Sequence, residues 1–304
     1  MALGERWQTL WPLGVALALA GAWPFTAQAV HPLALPVGIG VLGLAALALR
    51  RLELGIAATL ALVPFSDASI GPLADIGLPS SPVEPLLMGL AGGLLVAAYL
   101  LPDPTPRRRD GLPLALLAVL TIAVLSALAG LEPRSSLGEL ARLFQAAALL
   151  LATRRICRER EQVALVIGGA LLGLLLAGGQ GLAQAATGSS ELYGFDAGGE
   201  IVARVQGSFF HPNEFGIYVA ILLPLAASVL LAPAMTPRLR ILAGIALAVG
   251  APALVLSYSR GAMLGLVLGG LAWLAVTRPR RVLPVAAVAV LLALAVAPSA
   301  LPSR

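Results

Sequence analysis

Long apolar runs alternate with short polar turns from one end of the chain to the other. A helix needs about 20 apolar residues to cross a hydrocarbon core that is about 30 Å thick. The pattern therefore predicts an all-α, polytopic transmembrane helical bundle with about 11 spans, forming a single transmembrane domain over residues 1–304. The predicted spans are 10–28, 33–49, 52–66, 83–101, 112–131, 137–153, 162–182, 214–232, 239–257, 261–277 and 282–300.

Arginines are distributed unevenly between the alternate turns that join these spans. All 20 basic residues are arginine, and 15 of them fall on one side of the predicted path. Basic residues concentrate in cytoplasmic loops, so this side, which includes the N-terminus, is predicted to be cytoplasmic. The arginines on the opposite side are Arg134, Arg142, Arg204, Arg260 and Arg304. Two of them, Arg204 and Arg260, adjoin spans and run against the general bias, which makes them candidates for function.

Composition narrows the class of protein further. Hydrophobic residues make up 59% of the chain and charged residues only 12%, too few to cover a soluble fold of this length. The formal net charge of +5 would suit nucleic acid, but the arginines lie in short turns where membrane orientation explains them. We expect membrane lipids, and no nucleic acid, as partners. A chain without lysine that is rich in alanine, leucine, glycine and proline is typical of a GC-rich bacterial genome, so a multi-pass protein of the bacterial inner membrane is predicted.

The residues that usually build metal and cofactor sites are scarce. Cys157 is the single cysteine, so neither an internal disulfide nor a cysteine-based metal cluster can form, and two histidines exclude a histidine-rich metal site. The sequence contains no glycine-rich phosphate loop and no Ser-His-Asp signature. We therefore expect no metal and no cofactor.

The longest predicted extracytoplasmic loop covers residues 183–213, and long ordered loops are usually functional. It ends in Arg204 and in His211-Pro212-Asn213, just before a predicted span. Proline suits the first turn of a helix, so the His-Pro-Asn run is equally well explained as a device that starts the helix. Arg204 can be an interfacial arginine that reaches toward water, or a planar guanidinium that binds phosphate oxygens in bidentate fashion.

A second polar segment, Ser257-Tyr-Ser-Arg-Gly-Ala262, lies where one predicted span ends and the next begins. Glycine and alanine permit a tight reversal and a close approach of helices, so a plain helical hairpin with a surface arginine explains the segment. The hydroxyls of Ser257 and Ser259 beside Arg260 favour a binding role, because they can also donate to a phosphate or a sugar.

The pattern R-x-x-G-[ST]-F-x-[HN]-P-N at the start of a span, followed by S-x-S-R-G-A, resembles the O-antigen ligase/polymerase superfamily. Its members are bacterial membrane glycosyltransferases that act on polyprenyl-diphosphate-linked glycans in cell-surface polysaccharide and lipopolysaccharide biosynthesis. The similar region covers about residues 204–276. By position, the resemblance matches Arg204 to the family's outer-loop arginine, Gly207 and Asn213 to its G…PN element, and Arg260 to the arginine of its SRG element.

This resemblance implies an inverting glycan transfer at the extracytoplasmic face. A hydroxyl of a lipid or saccharide acceptor would attack the anomeric carbon of the donor sugar, and undecaprenyl diphosphate would leave. Arg204 and Arg260 would be the catalytic residues, because they would neutralise the charge that develops on the diphosphate. The neighbouring residues expected to bind substrate are Gly207, His211, Asn213, Ser257 and Ser259.

The sequence also departs from the family. Members continue into a large extracytoplasmic loop with a further arginine and a histidine essential for transfer, whereas this sequence ends at Arg304. We therefore expect a truncated relative without the family's C-terminal catalytic loop, and His211 is not assigned as the missing base. Two other functions stay open: a small-anion transporter and a non-catalytic membrane subunit. The predicted spans hold few polar groups beyond Thr121 and Gln145, which disfavours the transporter.

Overall fold

The computed structural model describes residues 51–65, 83–100, 111–130, 133–188, 194–196 and 201–277. Helices account for most of these residues. They are α1 (Leu52–Leu62), α2 (Val83–Leu100), α3 (Leu112–Ala129), α4 (Pro133–Ile156), α5 (Arg160–Thr187), α6 (Pro212–Leu231), α7 (Pro237–Leu256) and α8 (Arg260–Thr277). A 3-10 turn, Val63–Phe65, extends α1. Between α5 and α6, β1 (Gly194–Asp196) and β2 (Ile201–Ala203) pair antiparallel, with Phe195 opposite Val202.

Four of the described helices, α3, α5, α6 and α7, are long and apolar enough to cross a membrane. Shorter apolar helices lie at Leu52–Phe65, Gly89–Tyr99 and Arg260–Trp273. Large apolar side chains remain exposed along these helices, among them Leu128, Leu231 and Ile221. Such surfaces are stable in contact with lipid, because a hydrocarbon surround demands no polar covering. The described residues therefore form a helical membrane protein.

Backbone contacts divide the chain into two compact units, and the boundary falls inside α5, between Gly169 and Ala170. In the first unit α1, α2 and α4 pack together around a core that includes Ile56, Leu90, Leu94 and Ala152. The Arg155 Nε donates to the carbonyl oxygen of Ala98, which is a member of this core. Its guanidinium also lies 4.8 Å from the centre of the Tyr99 ring, an attractive cation–π contact.

In the second unit α6 is the central helix and packs against both α7 and α8. Its buried face carries Phe215 and Val219, both at 0% exposure, at the spacing that places side chains on one side of a helix. Glycine allows α5 and α7 to approach closely here, because a Cβ added to Gly250 would lie 3.0 Å from the Leu174 Cδ1. Pro237 fits the first turn of α7, and the Thr236 hydroxyl caps that turn by accepting from the Leu239 N–H.

The apolar pattern predicted the positions of these helices well. Each predicted span from 52–66 to 261–277 corresponds to one described helix, with ends that differ by a few residues. The largest difference is at the end of α5, which runs to Thr187 and not to the predicted 182. The start of α4 at Pro133 and the end of α1 at Leu62 differ by four residues from the predicted 137 and 66. The predicted spans 10–28, 33–49 and 282–300 lie outside the described residues. The total of about 11 spans stays a prediction.

Candidate functional site

The loop that leads from β2 into α6 is held in a fixed path at Gly207. This glycine has a positive φ of 58°, a conformation that residues with a Cβ rarely adopt. A Cβ at this position would also lie 2.9 Å from two ring carbons of Phe215 and 3.1 Å from the Ala177 carbonyl oxygen. Glycine is therefore required on both backbone and steric grounds, while the predicted role of Gly207 in substrate binding stays a prediction.

Gln184 holds this loop from the other side, through its side-chain amide. Its Nε2 donates to the Gly207 carbonyl oxygen at 2.7 Å. Its Oε1 accepts from the backbone N–H of Gly207 at 2.9 Å and of Gln206 at 3.2 Å. One side chain in the last turn of α5 therefore satisfies three main-chain groups of a loop more than 20 residues away. Nothing in the sequence indicated this contact beyond a polar residue at the end of an apolar helix.

His211 starts α6 as its N-cap residue. Its backbone is extended, and its Nδ1 accepts from the Asn213 N–H at 3.0 Å, while Pro212 occupies the first helical position. Of the two interpretations that the sequence left open for His-Pro-Asn, the helix-start device is present in the structure. The predicted contact of His211 with substrate remains a prediction.

Residues 257–259 form the tight turn between α7 and α8. The Ser257 hydroxyl donates to the Leu254 carbonyl oxygen at 2.6 Å and accepts from the Ser259 N–H at 3.2 Å. Tyr258 has a positive φ of 49°, which is uncommon for a bulky residue and reverses the chain within two positions. Both serines are almost fully buried, at 0% and 2% exposure. The Ser257 hydroxyl therefore shapes the turn, whatever else it binds.

Arg204 joins the two arginine-bearing segments that the sequence singled out. Its Nε donates to the Ser257 carbonyl oxygen at 2.9 Å, and its Nη2 donates to the Asn213 Oδ1 at 2.7 Å. A backbone bond from the Val205 N–H to the Leu256 carbonyl oxygen, 3.2 Å long, runs beside these contacts. The side chain thus stabilises the C-terminal end of α7, where carbonyl groups lack helical partners.

Close packing between α6 and the start of α8 is a second contact between the two arginine-bearing segments. A Cβ added to Gly216 would lie 2.5 Å from the Ser259 Cβ and 3.2 Å from the Ala262 Cβ. Glycine at position 216 therefore lets the two backbones approach as closely as small-residue contacts in membranes allow. The contacts of Arg204 and of Gly216 show that residues 204–216 and 257–262 are neighbours in the fold.

Arg260 is the first residue of α8 and is exposed. Among the described residues, its guanidinium makes no hydrogen bond and no ion pair, in contrast to that of Arg204. The N-terminus of α8 adds the partial positive charge of its unpaired N–H groups next to this side chain. An exposed guanidinium at a helix N-terminus is an electrostatic environment that favours an anion.

An open apolar groove of about 860 Å³ runs between α6 and α8. Ile221 and Pro224 line it from α6, and Gly265, Gly269 and Trp273 line it from α8. The glycines leave it wide, since a Cβ at Gly265 or Gly269 would meet no atom within 4 Å. Its lining begins at Gly261 and Ala262, directly after Arg260, so a strongly apolar surface follows the polar turn.

Two polar side chains of this region that the sequence did not single out have an oxygen without a hydrogen-bond partner in the described part of the chain. They are the Gln206 Oε1 and the Tyr218 hydroxyl, and both atoms are buried. The Tyr218 ring packs against Phe209, with the ring centres 5.1 Å apart. A search of the described residues found no group of histidine, cysteine and acidic side chains that can hold a metal ion.

Comparison of the chain with protein-family models, with curated proteins and with solved structures gave no match. The function is therefore inferred from the geometry of the two arginine segments.

Proposed function

We propose that this protein is a membrane glycosyltransferase of the O-antigen ligase/polymerase type, which transfers a glycan from undecaprenyl diphosphate to a lipid or polysaccharide acceptor. The observation that carries the proposal is the contact between residues 204–216 and 257–262. Two segments that resemble the family's motifs separately are packed against each other through Arg204 and Gly216.

The charges of this region suit a diphosphate. Arginine has five N–H donors, and the two bonds of Arg204 to Ser257 and Asn213 leave three for a ligand. Arg260 offers all five, and the N-termini of α6 and α8 both lie in these segments. Guanidinium groups that are fixed before the reaction stabilise charge as it develops on the leaving diphosphate. Charge neutralisation of this kind requires no metal ion.

The groove between α6 and α8 suits the remainder of such a donor. A polyprenyl chain is apolar and branched, and the groove offers an apolar wall that begins next to Arg260. The proposal therefore assigns the diphosphate to the arginines and the first isoprene units to the groove. In the reaction, the oxygen of an acceptor hydroxyl forms the new bond to the anomeric carbon. The bond from that carbon to the diphosphate breaks, and the hydroxyl proton passes to a base.

The same proposal includes a topology. About 11 spans, a cytoplasmic N-terminus and a site on the extracytoplasmic side of the bacterial inner membrane follow from the apolar pattern and from the 15 arginines on one side of the path. A lipid-linked donor that has already been flipped across the membrane would present its glycan on this extracytoplasmic side. The loop over residues 183–213 would then face the same compartment as the acceptor.

Binding of undecaprenyl diphosphate to the purified protein in lipid nanodiscs tests the assignment of the arginines. A charge-assisted hydrogen bond contributes roughly 1.5–3 kcal/mol, so Arg260→Ala should weaken binding about 10- to 150-fold. Arg260→Lys should recover only part of the loss, because an ammonium lacks the planar fork. Arg260 is the decisive position because, within the described residues, its replacement removes no hydrogen bond and no ion pair.

Arg204→Ala should weaken binding to a similar extent, but it also removes the bond to Ser257 that stabilises α7. Arg240→Ala is the matched control, since Arg240 likewise donates from Nε to a helix-end carbonyl, that of Leu230, at 3.0 Å. The control should bind the diphosphate like the parent. Parental affinity in both Arg260→Ala and Arg204→Ala would refute the proposed role of the arginines.

A further inference from the structure

The Arg204 loop owes its conformation to one residue that does not belong to the loop. Gln184, in the last turn of α5, makes three hydrogen bonds to the main chain of Gln206 and Gly207. A carboxamide donates from its nitrogen and accepts at its oxygen at the same time, whereas a carboxylate only accepts and an aliphatic side chain does neither. The identity of this side chain is therefore chemically specific.

The Gln206–Gly207 peptide to which Gln184 bonds is close to Arg204 in the sequence, and packing restrains the opposite side of this peptide. Arg204 lies two residues before Gln206. Behind Gly207, the Phe215 ring and the Ala177 carbonyl oxygen leave no room for a Cβ. The loop is thus fixed between α5 and α6, and the direction in which it presents Arg204 depends on both. A guanidinium whose main chain is fixed loses less entropy on binding an anion than one on a mobile loop.

We propose that Gln184 is a positioning residue, which orders the loop so that Arg204 is directed at the diphosphate of the donor. This inference rests on the proposed function. Gln184 acts through Arg204 and is not itself assigned a contact with the donor. Its loss should leave the global fold intact, because its partners belong to a single short loop, while the affinity for the donor falls.

The first experiment does not depend on any ligand. Backbone hydrogen exchange in nanodiscs should show that the Gln206 and Gly207 N–H groups exchange at least 10-fold faster in Gln184→Ala than in the parent. Gln184→Glu keeps the acceptor and should exchange at an intermediate rate. The Val205 N–H, which is bonded to Leu256, is the internal control and should stay slow. Gln180→Ala, one turn earlier on α5, should behave like the parent. Unchanged exchange of both N–H groups in Gln184→Ala would overturn the inference.

The second experiment asks whether Gln184 acts through Arg204. Undecaprenyl diphosphate affinity is measured for the parent, Gln184→Ala, Arg204→Ala and the double variant. Gln184→Ala alone should weaken binding about 10-fold, the loss expected for one to two hydrogen bonds. In the Arg204→Ala background it should have no further effect, whereas a general loss of structure would add to the loss. Additive losses would overturn the positioning role.

The two experiments separate failure of this inference from failure of the proposed function. If the parent does not bind undecaprenyl diphosphate, or if Arg204→Ala and Arg260→Ala both bind it like the parent, the proposed function is refuted. Inorganic pyrophosphate then serves as a second probe in the same cycle, and the absence of any coupling between positions 184 and 204 refutes the positioning role as well. Fast exchange of the two N–H groups together with non-additive losses supports both.

Discussion

Replacement of Gly216 by alanine tests whether α6 and the start of α8 are in contact. The added Cβ would lie 2.5 Å from the Ser259 Cβ and 2.9 Å from its Oγ, so one of the backbones must move. Overpacking of this kind costs roughly 1–3 kcal/mol. Alanine also gains about 1 kcal/mol over glycine inside a helix, which offsets part of the loss.

Gly265→Ala isolates the steric part of this effect. Gly265 lies inside α8, and a Cβ there would meet no atom within 4 Å, so only the helix-propensity gain remains. The difference in the free energy of unfolding between the two variants should therefore be the overpacking cost alone, about 1–3 kcal/mol. The measurement is reversible unfolding by SDS in mixed micelles, followed by circular dichroism.

A second substitution in the same variant provides a rescue. Ser259→Gly removes the Cβ that the new methyl group would meet, so the Gly216→Ala/Ser259→Gly double variant should recover much of the lost stability. The double variant should lose less stability than the sum of the losses of the two single variants, as expected for residues in contact. If Gly216→Ala and Gly265→Ala unfold at the same SDS concentration, the two segments are not packed together, and the observation that carries the proposed function is lost.

Two further predictions concern other parts of the chain. Burial, and to a smaller extent the negative charge of Glu53, raises the pKa of the Cys157 thiol from 9.0 to about 11. Alkylation of this thiol at pH 8 should therefore be about 100-fold slower than in the SDS-unfolded chain, and it should accelerate until the pH passes about 11. Equal rates in the folded and unfolded protein would contradict the burial of this thiol. Reporter fusions after Arg109, Arg160 and Arg281 should give cytoplasmic signals, and fusions within 188–199 should give an external signal. A cytoplasmic signal from 188–199 would refute both the orientation and the side assigned to the site.

The sequence was sufficient for the helices but not for the contacts between them. The ends of α6 and α7 were predicted closely, because proline at the first helical position and an abrupt change in polarity mark them. The interaction of Gln184 with Gly207 could not be predicted, since it depends on which helix ends lie side by side. The role of Arg204 at the end of α7 was missed for the same reason. The bond to Ser257 became evident only when residues 53 positions apart were seen together.

Burial, too, depends on packing that the sequence does not display. Ser257 and Ser259 were predicted to bind substrate because hydroxyls beside an arginine suit a phosphate. In the structure the Ser257 hydroxyl already bonds within the turn, and both side chains are buried. Serine is favoured in turns for its bonds to nearby backbone groups, and a single sequence does not distinguish that use from ligand binding.

The bond between Arg204 and Ser257 also has a consequence for biosynthesis. Its two partners are separated by 53 positions, so Arg204 leaves the ribosome well before its acceptor exists. At about 5–20 residues per second, translation takes roughly 3–10 s to add the intervening segment. For that period the guanidinium must be solvated by water or lipid head groups at the membrane surface. A nascent chain that is stalled before Ser257 would therefore contain α6 without the contact that ties its entry loop to the end of α7.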